Sequence, residues 1–191
     1  MSPPESISEL SFPTLVDAEH SAQPSEIERE VLELYERFRG PLLRYALSLS
    51  IPLHDAEEVV QEVFLSLFRH LQLRRPRSNL RGWLFRVTHN LGLKRLYLNQ
   101  GSHAKTTSDE TTAKQQSDPS PTPEEELSMA QRRQRLLAVV HALPQADQCC
   151  LALRAEGLRY REIAAVLGMS LGAVSISLTR SLARLTRADG R

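Results

Sequence analysis

Apolar residues recur at three- and four-residue spacing along most of the chain, and the segments that break this rhythm divide it into two helical halves. Ile27, Val31, Leu34, Tyr35 and Phe38 mark the inner side of a first helix. Leu42, Leu43, Ala46 and Leu49 mark that of a second, with Gly40-Pro41 expected to end the one and start the other. Pro52 closes the second. A third helix is predicted to open on Asp55, with Glu58 completing a capping box, and to bury Val59, Val63, Phe64, Leu67 and Leu71. A basic, proline-containing loop follows over residues 70–78. Asn79 can then cap a fourth helix whose inner stripe is Leu80, Trp83, Leu84, Val87 and Leu91.

Between residues 99 and 126 large apolar side chains almost vanish, and Ser, Thr, Pro and acids dominate. Such a stretch cannot bury enough surface to offset its ordering entropy, so it is predicted to be a flexible acidic linker. Residues 1–24 are similarly polar, with Leu10, Phe12, Leu15 and Val16 scattered among them, and are expected to form an acidic disordered tail. The helical rhythm resumes over residues 127–191. One helix carries Leu136, Leu137, Val140 and Leu143 and stops at Pro144; a second runs from Gln145 to Ala155, a short third from Tyr160 to Leu167, and a last from Leu171 to near Arg187. Gly157 and Gly168 fall where helix C-termini take glycine. The expectation is an all-α protein of two small helical domains, residues 25–98 and 127–191.

Composition supports that division. Aromatics are only 5% of 191 residues, whereas Leu, Ala, Arg and Glu abound, which suits helix packing better than a strand-rich sandwich. The two cysteines, Cys149 and Cys150, are adjacent, have no metal-ligand spacing and bridge each other only with strain. They fit a reducing cytoplasm. No apolar run reaches the roughly 18 residues of a membrane span, and the acidic start is unlike a signal peptide, so a cytoplasmic location without membrane insertion is expected. The net charge of +1 conceals alternation: −6 over residues 1–30, +5 over 31–100, −4 over 101–130 and +6 over 131–191. Two basic blocks of this kind suggest two polyanion-facing domains.

The second basic block contains the spacing of a helix-turn-helix. Ala164 is small where two helices cross, Gly168 can take the left-handed turn, and Val174 fills the space between the helices. Ser170 can cap the second of them. At 100° per residue from Val174, Leu171, Leu178, Leu182 and Leu185 fall on the inner side, and Gly172, Ala173, Ile176, Thr179, Arg180 and Arg184 face outward as candidate readers of the major groove. Ser175 and Ser177 are expected to flank that face. Spacing alone also fits an ordinary helical corner with no ligand, and the surrounding arginines favour DNA.

Two further segments, DAEEVVQEVFLSLF over residues 55–68 and NLRGWLFRVTHNLGLKRL over 79–96, resemble region 2 of bacterial RNA polymerase sigma factors of the small, extracytoplasmic-function kind. The stretch LLAVVHALPQADQCCLALRAEGLRYREIAAVLGMSLGAVSISLTRSLARL over 136–185 resembles their region 4. The resemblance implies a sigma factor that binds polymerase core through the β′ clamp helices and the β flap. It also implies −10 recognition and melting by region 2, −35 recognition by region 4, and an anti-sigma partner in some relatives.

On that resemblance Glu58, Gln61 and Glu62 become the core-polymerase contacts. Arg74, Arg75, Arg77, Arg81, Arg86, Asn90, Lys94 and Arg95 engage the −10 element, where cationic side chains can track the phosphates of a melted strand. Ser170, Gly172, Ala173, Ser175, Ile176, Ser177, Thr179, Arg180 and Arg184 face the −35 element. Relatives often carry cations at the positions of Ser175 and Ser177, which makes −35 recognition the weakest part of the match. Trp83 is expected in the core, and His54 and His89 at the surface. No catalytic constellation, metal set or cofactor motif is present, so an enzyme is not expected. Two rival readings remain: a helix-turn-helix regulator that never binds polymerase, and a decoy that holds polymerase without initiating.

Overall fold

The computed structural model describes residues 25–101 and 123–190, and these form seven helices and no strand. The predicted tail over residues 1–24 and the middle of the predicted linker lie outside the described residues. The first domain holds α1 (Glu26–Ser48), α2 (Leu53–Gln72) and α3 (Leu80–Gly101). The second holds α4 (Pro123–His141), α5 (Gln145–Ala155), α6 (Tyr160–Leu167) and α7 (Leu171–Asp189). Helices α3 and α4 therefore extend into both ends of the segment expected to be linker.

Helix α1 opens on a full capping box, in which Ser25 Oγ accepts from Glu28 N at 3.3 Å and the Glu28 carboxylate accepts from Ser25 N at 2.6 Å. It then runs through Pro41 without a break, so the two helices expected here are one. Proline removes one backbone hydrogen bond and its ring crowds the carbonyl four residues back, and burial of the Phe38, Leu42, Tyr45 and Ala46 stripe against the neighbouring helices outweighs that cost and keeps the helix continuous. The capping box expected at Asp55 is absent. Helix α2 starts two residues earlier at Leu53, and Asp55 instead accepts a bond from Asn99 Nδ2 at 2.7 Å. Asn79 does cap α3, its Oδ1 accepting from Gly82 N at 3.1 Å.

The core of the first domain contains the expected Val59, Val63, Phe64, Leu67, Leu71 and Leu84. Phe85 and Thr88 are also fully buried, because α3 is covered on more than one side. Gly92 lets α3 approach α1 closely: a Cβ there would lie 2.7 Å from Leu49 Cδ1. His89 is not a surface residue. Its Nδ1 lies 2.8 Å from Tyr45 Oη, and burial lowers the pKa of the ring. Trp83 is half-buried against the core and tilts over His70.

In the second domain α7 packs against α4, α5 and α6. Gly168 takes the left-handed conformation at φ 65°, the chain bends by 107° between α6 and α7, and Ser170 Oγ caps α7 by accepting from Ala173 N at 3.1 Å. Val174 is fully buried between the helices, as expected. Leu137, Leu171 and Leu182 are not; they are about half exposed, since this small domain cannot cover the whole width of their stripes. The two domains also touch, α3 on α6 and α1 on α5, and one apolar cluster runs through both.

Candidate functional site

On α2 the inner side takes Ala56, Val59, Val60, Val63, Phe64 and Leu67, which turns Glu57, Glu58, Gln61 and Glu62 toward solvent as an acidic and amide patch. Gln61 and Glu62 are exposed. Glu58 is partly engaged: Arg95 donates to its carboxylate, and His54 Nε2 lies 3.2 Å from it. A residue expected to face polymerase and one expected to face DNA thus hold each other. Gln61 and Glu57 also border a small groove against Tyr35, Arg39 and Leu43 of α1.

The basic loop brings Arg74, Arg75 and Arg77 to the surface, with Arg77 Nη1 3.0 Å from Glu30. Arg86, Asn90 and Lys94 are exposed on α3. Arg81 is not fully available to a nucleic acid. Its side chain is part-buried and donates to the carbonyl of Glu156 in the second domain.

On α7 the outward set is largely where projection put it, with Gly172, Ser175, Thr179 and Arg184 exposed and Ile176 65% exposed. Ala173 is half-buried, and Ser170 is exposed beside the cap it forms. Ser177 corrects the expectation: it is 3% exposed and its hydroxyl donates to Asp147 Oδ1 at 2.8 Å. Three residues beyond Val174 it sits only about 60° from that buried residue, on the inner side of the helix. Arg180 is partly withdrawn as well. Its Nε and Nη2 bond both oxygens of the buried Asp147 at 2.6 to 3.0 Å, which offsets much of its charge.

Asp147 is therefore a residue that sequence reasoning missed. It lies in the first turn of α5, 30 positions from Ser177, and nothing local signals the pairing. Arg159, Tyr160 and Arg161 were also missed. With Arg81, Leu171, Gly172 and Ser175 they line a cleft of about 930 Å³ at the entrance to α7. Two arginines opening the first helix of a helix-turn-helix were a legible signal for this. Helix α4 packs on α7, with Leu136, Val139 and Val140 half-buried, but Leu127, Met129 and Leu137 leave part of its apolar surface uncovered. Among the described residues no group of three or more His, Cys, Asp or Glu could hold a metal ion, and no single helix is long and apolar enough to cross a membrane.

Comparison with known proteins matches two segments of the chain to family models. Sigma-70 region 2 matches residues 34–100, and Sigma-70, region 4 matches residues 133–185. The ECF RNA polymerase sigma factor SigE of Mycolicibacterium smegmatis is 31% identical over 80% of this chain and 59% of its own length. The probable RNA polymerase sigma factor RfaY of Xanthomonas campestris is 32% identical over 72% of this chain and 35% of its own. The chain thus spans less than two thirds of these two relatives. RNA polymerase sigma factor YlaC of Bacillus subtilis is 26% identical over 81% of this chain and 89% of its own. Among solved structures, CnrH in complex with the cytosolic domain of CnrY superposes at a TM-score of 0.55 with 25% identity, covering 83% of this chain and 86% of that one. The sigma factor RpoE in complex with the anti-sigma factor NepR from Bartonella quintana shares the fold at a TM-score of 0.57 with 20% identity, over 82% and 96%.

Proposed function

Since the chain belongs to the sigma-70 family, carrying region 2 and region 4 in that order, we propose that it binds RNA polymerase core and directs promoter recognition and melting at initiation. The observation that carries this reading is the acidic and amide patch on α2 within an otherwise basic domain, followed in the same chain by a helix-turn-helix. A DNA reader acting alone has no use for the first feature.

In this reading Glu62 and Gln61 make the primary contact with the β′ clamp helices, and Glu58 joins them once Arg95 turns to DNA. The β flap packs on the uncovered apolar surface of α4. Arg74, Arg75, Arg86, Asn90 and Lys94 hold the melted −10 strand, with Arg77, Arg81 and Arg95 joining as their intramolecular partners are exchanged for phosphates. Gly172, Ser175, Ile176, Thr179 and Arg184 enter the major groove at the −35 element, Ser170 and Ala173 shape the approach, and Arg180 takes a supporting role beside Asp147. Ser177 is removed from the reader set. The chain acts in the cytoplasm, where its polymerase is, and supplies binding rather than catalysis. The two solved neighbours are in complexes with the cytosolic domain of CnrY and with an anti-sigma factor, which supports a comparable inhibitor for this chain.

The direct test is capture of purified core polymerase by the tagged full chain. Stoichiometric co-elution is expected, and a chain that binds promoter DNA yet retains no core would instead be a stand-alone regulator.

A further inference from the structure

A carboxylate loses its hydration when it is enclosed, and a fold tolerates that only where hydrogen-bond donors replace the water. Asp147 is 2% exposed, and its donors come from α7. Ser177 Oγ donates to Oδ1 at 2.8 Å, Arg180 Nε to Oδ2 at 3.0 Å, and Arg180 Nη2 to Oδ1 at 2.8 Å and to Oδ2 at 2.6 Å. Ser177 and Arg180 are three residues apart and so share one side of α7. The other end of the arrangement is equally fixed. Asp147 lies in the first turn of α5, and the next residue, Gln148, ties that turn to the end of α4 by donating through Nε2 to the carbonyls of Leu143 at 2.8 Å and His141 at 3.3 Å.

How the carboxylate takes Arg180 determines which part of the guanidinium stays available. Nε and Nη2 form one edge of the planar group, and Asp147 occupies that edge. The end-on edge, Nη1 with the second hydrogen of Nη2, is left over. Among the described residues no hydrogen bond claims Nη1, and the Arg180 side chain is 50% exposed where that of Asp147 is 3% exposed. Arg180 also stands one helical turn beyond the exposed Ile176, on the outward face of α7. An end-on guanidinium edge has the shape that pairs with O6 and N7 of guanine in the major groove. Fixing it ahead of binding removes the cost of ordering a long side chain, and the carboxylate offsets the charge that would otherwise attract any phosphate. Both effects favour discrimination over indiscriminate affinity.

We propose that Asp147 is a positioning residue for promoter reading: it holds Arg180 with the end-on edge free, so that Arg180 selects a guanine in the −35 element instead of adding one more phosphate contact. This rests on the reading that α7 enters the major groove there, and adds to it a residue that never touches DNA.

The test assembles the full chain with core polymerase and lets it select from duplexes randomised over both promoter elements, as the native protein, as Arg180→Lys and as Asp147→Asn. Lysine keeps the charge but has no planar edge. Asparagine keeps the shape of Asp147 without its charge. In the native holoenzyme one −35 position should favour guanine by at least about fivefold, and Arg180→Lys should abolish that preference. Asp147→Asn should lose it as well, although Arg180 is still present. The same variant, as the free chain, should bind unrelated duplex DNA more tightly than the native chain. Its slope of log affinity against log salt should be steeper by about 0.9, because the released guanidinium now meets phosphates. An Asp147 that only supports the fold would not raise non-specific binding.

A native selection in which no guanine depends on Arg180 would overturn this role and leave promoter recognition standing, whereas a holoenzyme that selects no sequence would overturn both. Folded Asp147→Asn that keeps the guanine preference would also overturn it. Should a thermal melt show that Asp147→Asn has lost its fold, nitrogen-15 NMR of the native chain decides. The Arg180 Nε–H signal, identified by its absence in Arg180→Lys, is expected to stay protected from solvent exchange in the free chain and with the selected duplex at saturation. Exchange in the bound form as fast as that of an unpaired arginine would show that Asp147 does not hold Arg180 while it reads.

Discussion

Ser177→Arg will strongly destabilise the second domain, whereas Ser175→Lys, the same gain of charge two residues earlier, will leave its stability nearly unchanged and tighten its hold on DNA. Ser177 is 3% exposed and bonded to the buried Asp147, so a guanidinium on a long stem has no room there. Overpacking and the loss of that hydrogen bond together should cost at least about 3 kcal/mol. In a domain of this size that is a fall in Tm on the order of 12 °C or more. Ser175 is exposed at the edge of the outward face, where substitutions change stability by only about 0.5 kcal/mol. A lysine there adds one phosphate contact and should steepen the slope of log affinity against log salt by about 0.9. Thermal melts of the two variants, with a salt titration of Ser175→Lys on promoter DNA, check both halves. Equal melting temperatures would mean that Ser177 is not enclosed as described.

Glu62→Lys should weaken binding to core polymerase by at least tenfold while the thermal melt stays within a few degrees of the native chain. The carboxylate is exposed on the patch that α2 turns outward, so nothing in the fold depends on it. Reversal removes an attraction and adds a repulsion of similar size, and one lost decade of affinity corresponds to about 1.4 kcal/mol. Glu58→Lys is a less clean probe. Arg95 and His54 already hold Glu58, and a lysine there would set free the arginine expected to face DNA. Surface-immobilised core with a concentration series of Glu62→Lys gives the number, and unchanged affinity would move the polymerase contact off this patch.

The parts of this molecule governed by local rules were legible in the sequence. Gly168 supplies a left-handed turn, Ser170 and Asn79 cap the helices that follow them, and Val174 fills the helix-turn-helix, each through neighbours a few residues away. Pro41 was misleading because the local rule says break, while packing of α1 against three other helices says continue. Ser177, Arg180 and Arg81 were misplaced for a different reason. Each is claimed by a partner far along the chain, Asp147 for the first two and the Glu156 carbonyl for the third, and periodicity carries no information about such pairings. The docking of the domains was equally invisible, since Arg44 and Glu156 are 112 residues apart and each alone is an ordinary surface charge. Phe85 and Thr88 fell outside the expected stripe because a helix buried on more than one side no longer has a single inner face.

The most direct measurement of promoter-directed initiation is run-off transcription from a cognate promoter by purified core polymerase, with and without the full chain. A transcript with one defined start is expected only when the chain is present, reduced at least tenfold by Glu62→Lys at limiting concentration. Core that is bound by the chain yet yields no transcript above its own background, on templates the chain binds, would contradict it.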